Sequence, residues 1–163
     1  MVNGTATLGI SDSGSSLQVA GGLVVLSSQA TTTLASSGAL SVTGGSVVIE
    51  QQHVLTLLSG SVLQVSAGSL QVVQQASVSA GSSSLLVSAG VANLQGVQLT
   101  ALESSVSVIG GNLTIGGVAF TFTGSAVSVS GGWLHFDGSM SAIGSMSGTT
   151  ASVNGGNVLF TES

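Results

Sequence analysis

Hydrophobic and polar residues alternate along this chain in short runs, and paired small residues interrupt the runs at regular intervals. "NLTI" follows Gly110-Gly111, "WLHF" follows Gly131-Gly132, and "NVLF" follows Gly155-Gly156. Alternation with a period of two sends successive side chains to opposite faces of a strand. Each run therefore predicts a short strand with one buried and one exposed face. A helix needs a period of 3.6 and few glycine or β-branched residues, and neither holds here.

Breaking the chain after each Gly-Gly or Ala-Gly from Leu23 onward aligns it into lines such as "SVVIEQQHVLTLLSGSVLQVSAG" and "NLTIGGVAFTFTGSAVSVSGG", with periods of 23, 23, 22, 21, 21 and 24 residues. Each line holds three alternating runs separated by Gly, Ser and Gln, which are turn residues. One full line predicts strands over 112–115, 119–123 and 126–130. The first strands are expected to bury pairs such as Val47 and Ile49 or Leu134 and Phe136, ending with Val158 and Phe160. The third strands bury Leu40 and Val42 through Val127 and Val129, then Ala151 and Val153. The second strands are less regular, with Leu55 and Leu57, Ala76 and Val78, or Phe120 and Phe122.

Self-similarity at this period predicts an all-β parallel β-helix (β-solenoid), a single domain over 1–163 with three short strands per coil. The expected count is about seven coils plus one strand. "MVNG-TATL" matches "SVNGG-NVLF", so Thr5 is expected to open a shorter first coil that ends at Gly22. At ~4.8 Å per coil, the rod is roughly 34 Å long.

Composition narrows the function. The chain has 163 residues and contains no Lys, Arg, Pro or Cys, with a formal net charge of −5. An average domain of this length carries on the order of 20 basic residues. Neutralising phosphates requires them, so nucleic acid and anionic membrane surfaces are not expected partners. No run of 18 apolar residues supports membrane insertion, and no basic and apolar leader marks a signal peptide. Disorder is excluded by a 43% hydrophobic content arranged in alternation.

The Gly-x-Leu-x-Val phrasing of the coils resembles the right-handed β-helices of autotransporter passengers and haemagglutinin-type adhesins. That resemblance implies the same architecture and a surface-exposed or extracellular setting. The fold also hosts pectate lyases and polygalacturonases, so enzyme chemistry is tested residue by residue. There is no basic residue to accept a proton. Asp12 and Asp137 lie about six coils, roughly 25–30 Å, apart, against the about 5–9.5 Å that paired-carboxylate hydrolysis needs. His53 and His135 are about 19 Å apart by stacking and cannot share a metal. They are expected to be exposed histidines on a strand or turn. No catalysis, cofactor or metal is expected.

"WLHFD" is the one concentrated polar-aromatic spot. Alternation puts Trp133 and His135 on the outer face of the first sheet, next to Asn112, Thr114, Asn157 and Leu159. Exposed Trp suits a sugar-stacking site or a protein interface. Leu23, Val25 and Val48 are outward on the same sheet and extend a lateral surface. Outward Thr and Ser, such as Thr33, Thr56 and Thr121, form a ladder broken by Val54, Gln98 and Ala119. Ice binding is therefore a minor alternative.

Neither terminus reads as a polar cap, and natural solenoids usually cover their unpaired edges. The expected function is structural: copies stack head to tail into an extracellular or surface filament, with Val158 and Phe160 of one copy against Ala6 and Leu8 of the next. The alternative is an adhesin or carbohydrate-binding module that takes a glycan on the Trp133 face, with a virion surface fibre as a further minor alternative. The expected partners are thus the chain itself and, in the alternative, carbohydrate.

Overall fold

The computed structural model describes residues 7–10, 14–27, 29–95, 98–116, 119–137 and 144–161. These residues form three parallel seven-stranded sheets, and each sheet takes every third strand of the chain. The chain is a β-solenoid with three strands per coil. One rung consists of Asn112–Gly116, Ala119–Thr123 and Ala126–Val129, close to the spans expected from alternation.

Register follows the repeat. Leu23 pairs with Ser46, Ser46 with Ser69, Ser69 with Val91, Val91 with Asn112, Asn112 with Trp133, and Trp133 with Asn157. The irregular periods arise at two corners. Four residues separate Leu57 from Val62, whereas three separate their partners Ala80 and Ser84. Four separate Val72 from Ser77, whereas three separate their partners Leu94 and Gln98. Those two deletions take the period from 23 to 22 and then to 21.

The third corner, between the third and first strands, never changes length. It always ends in glycine, and the reason is steric. The Trp133 amide donates to the Gly111 carbonyl and the Asn112 amide to that of Gly90, so successive corners stack backbone on backbone. A Cβ on Gly90 would lie 2.5 Å from the Gly68 carbonyl oxygen and 2.6 Å from Val65 Cγ1. No side chain fits there. The Gly-Gly and Ala-Gly punctuation is a packing requirement.

Inside the prism runs one continuous aliphatic column that includes Val47, Ile49, Leu63, Val65, Leu113, Ile115, Val127 and Val129. Burial of this area drives a stack in which each rung covers its neighbours. Toward the last rungs the filling becomes aromatic. Phe120 and Phe136 have ring centroids 5.0 Å apart, and Phe136 and Phe160 stack at 5.0 Å with an interplanar angle of 7°.

One assignment is corrected. The strand Thr7–Ile10 pairs with Thr31–Leu34 and belongs to the second-strand sheet. The match of "TATL" to "NVLF" had placed it among the first strands. A four-residue alternating run carries no column identity of its own, so local similarity was misleading there. Thr5 and Ala6 lie outside the described residues, as does the side chain of Leu8.

Candidate functional site

The outer face of the first-strand sheet carries Trp133, His135 and Asp137 on Trp133–Asp137, with the inward Leu134 and Phe136 anchoring the strand. Trp133 is 50% exposed. Pairing sets Asn112 and Asn157 on either side of Trp133, Thr114 and Leu159 beside His135, and Gly116 and Thr161 beside Asp137. Side chains on adjacent rungs are ~4.8 Å apart, and alternate residues along a strand are ~6.6 Å apart.

Three of these groups are locked together. His135 Nε2 lies 2.8 Å from Thr161 Oγ1, and Thr161 donates to Asp137 Oδ1 at 3.2 Å. Thr161 has a single hydroxyl proton and directs it to the carboxylate. His135 Nε2–H must then donate to Thr161, which leaves Nδ1 of the neutral ring as an acceptor. A threonine nucleophile would need the opposite arrangement, with its proton passed to the imidazole.

The lateral apolar surface is not continuous. Leu23, Val25 and Val48 occupy the first two rungs of this sheet, about 19–24 Å from Trp133. Ser69, Gln71, Asn93, Asn112 and Thr114 stand between them, with Val91 the one apolar outward residue of those rungs. The structure therefore brings Trp133 and His135 together but leaves Leu23, Val25 and Val48 as a separate patch.

His53 is the largest departure from expectation. It is 1% exposed rather than on the surface. It sits at the corner before Val54–Leu58, stacked between the buried Ala30 and Ala76, and its Nε2 lies 2.9 Å from Thr32 Oγ1. Thr32 in turn takes an inward position that Leu55 fills on the next rung. Nδ1 has no partner. A second N–H would be stranded in apolar surroundings, so burial lowers the pKa of His53 from its ordinary 6.5. The unfolded chain then binds the proton more readily than the folded one. Stability is full above about pH 6.5 and declines as pH falls below it, by at most about 1.4 kcal/mol per pH unit. Thermal midpoints at pH 7.5 and 5.5 should show this loss. The double variant Thr32→Leu/His53→Ala, which restores the residue types of neighbouring rungs, should flatten it.

Two further polar ladders were hidden in the sequence. Ser61, Ser83, Ser104 and Ser125 stack at the corner before the third strands, all buried. Ser104 and Ser125 donate to the Ala80 and Ala101 carbonyls. At the opposite corner Gln29 donates to Gln52 and Gln52 to Gln75, at 3.1 and 3.3 Å. Gln51, Gln52, Gln74 and Gln75 all have positive φ, and with Gln29 they line an open groove.

Among the described residues, no three His, Asp or Glu gather closely enough to hold a metal ion. Among the described residues, too, no helix is long and apolar enough to cross a membrane. Comparison with models of known protein families, with curated proteins and with solved structures finds no match. The fold places the chain in the class of parallel β-solenoid repeat proteins.

Proposed function

We propose that this chain is a structural protein whose copies stack end to end, continuing the three sheets into an extracellular or surface filament. One observation carries the reading: on the last described rung the inward residues remain apolar but are uncovered. Phe160 is 49% exposed with one ring face on Phe136, and Val153 on the third-strand sheet is exposed as well. A further rung would cover them. Val158 and Phe160 stand in the first-strand column, whereas Leu8 lies on a second-column strand. A copy that continues the columns therefore sets its own first-strand sheet, rather than Leu8, against Val158 and Phe160; Val24 of that sheet is partly buried in the single chain, whereas Leu26 is already covered. Such a contact is heterologous and does not close, so it propagates as an open filament.

The test is electron microscopy and sedimentation of the purified chain. Filaments should show an axial repeat of one seven-rung subunit, roughly 34 Å, whereas amyloid repeats at ~4.8 Å alone. Phe160→Asp should lower polymer yield severalfold and leave the far-UV spectrum unchanged. A chain that stays monomeric at high concentration overturns the proposal.

A further inference from the structure

We propose that the face formed by Trp133, His135 and Asp137 with Asn112, Asn157 and Thr161 binds a neutral oligosaccharide. This goes beyond end-to-end stacking and does not depend on it.

Trp133 offers a half-exposed indole on the outer face of the sheet, one rung in from the last described strand. Aromatic side chains are amphipathic platforms, and the apolar C–H face of a pyranose ring matches one. The amides of Asn112 and Asn157 flank the indole by register, and neither side chain makes a hydrogen bond among the described residues. Each therefore has two donors and an acceptor open to a ligand.

Further along the strand, the Thr161 bridge fixes His135 and Asp137, and the remaining carboxylate oxygen and His135 Nδ1 are left as acceptors. Hydroxyl groups, which both donate and accept, satisfy this mixed set. Groups already held in place also reduce the ordering cost of binding. From Trp133 to Asp137 the platform runs about 13 Å, enough for roughly two or three linked sugar rings in extended form.

Charge decides which sugars fit. The chain has no Lys or Arg to pair with a carboxylate or sulfate, and the platform itself contains Asp137. Uronic or sulfated glycans would bring like charges together and leave an anion without a partner. Neutral glycans meet no such penalty.

Trp133 is the only tryptophan, and the chain has no tyrosine, so ligand contact reads directly in its emission. The experiment titrates the chain with cellohexaose and mannohexaose, with the galacturonate hexamer as the anionic control. At least one neutral hexamer should give a saturable change with half-saturation on the order of 1 mM. Asn112→Ala and Asn157→Ala should each weaken it about fivefold. Trp133→Ala should abolish binding by calorimetry, Trp133→Phe should retain part of it, and Leu23→Ala should leave it unchanged.

The same titration on Phe160→Asp separates sugar binding from stacking. Silence with both neutral hexamers to about 10 mM overturns the proposal, and so does equal binding of the galacturonate hexamer. In Phe160→Asp, where end-to-end stacking is blocked, emission that still shifts with protein concentration in the absence of sugar places a second copy on this face and also overturns it.

Discussion

Val127→Asp should unfold at least the rungs around it, while Ser128→Asp, one residue further on, should leave the solenoid intact. Val127 is buried between Val106 and Ala151 in the third-strand column, whereas Ser128 pairs outward with Ser107 and Ser152. A carboxylate at 127 would sit in an aliphatic stack, and the chain has no Lys or Arg to pair with it. Leaving a buried charge uncompensated costs about 3–5 kcal/mol, while an exposed substitution usually stays within about 0.5 kcal/mol. In a chain of this length that difference lowers the thermal midpoint by roughly 10 °C or more. Circular dichroism melts of the two variants side by side make the comparison. Similar behaviour would mean that the inward and outward faces are assigned wrongly.

Gly90→Ala should be nearly as damaging, although it adds a single methyl group. The added carbon would meet the carbonyl oxygen of Gly68 and the methyl of Val65, and the backbone has no rotamer by which to escape. The corner must spread, which strains the ladder on both sides, and overpacking of this kind costs about 1–3 kcal/mol. Gly21→Ala is the control, because nothing lies within 4 Å of the added carbon. Ala67 and Ala89 already occupy that middle position on later rungs. Urea midpoints should fall for the first variant and stay put for the second. Equal midpoints would remove the steric account of the punctuation.

The columns were legible in the sequence because alternation fixes which face of a strand is buried, and the spacing of glycines fixes the phase. Val47, Leu63, Leu113 and Val127 all stand inward as read. Corners obey no such rule. His53 was read as exposed because a corner residue's direction depends on local φ and ψ, not on alternation. The left-handed Gln51 and Gln52 before it turn its ring into the core. Buried Ser61, Ser83, Ser104 and Ser125 were invisible for a related reason: serine on this chain usually marks the outside, and only the three-dimensional corner shows otherwise. Trp133 and His135 were read on the outer face beside Asn112, Thr114, Asn157 and Leu159, as the register has them, but the Thr161 bridge depends on side-chain geometry that alternation does not carry.

The constant third corner makes the length of this molecule a quantised property. The other two corners gain and lose residues freely, by one after Leu57 and after Val72 and by three before Gly144. Each such change alters the girth of a rung without disturbing its seat on the rung below. The glycine corner admits no such drift, so every turn returns to the same seat. The solenoid is a ruler graduated in whole turns, and insertions of a single turn are the natural steps by which a chain of this kind lengthens or shortens.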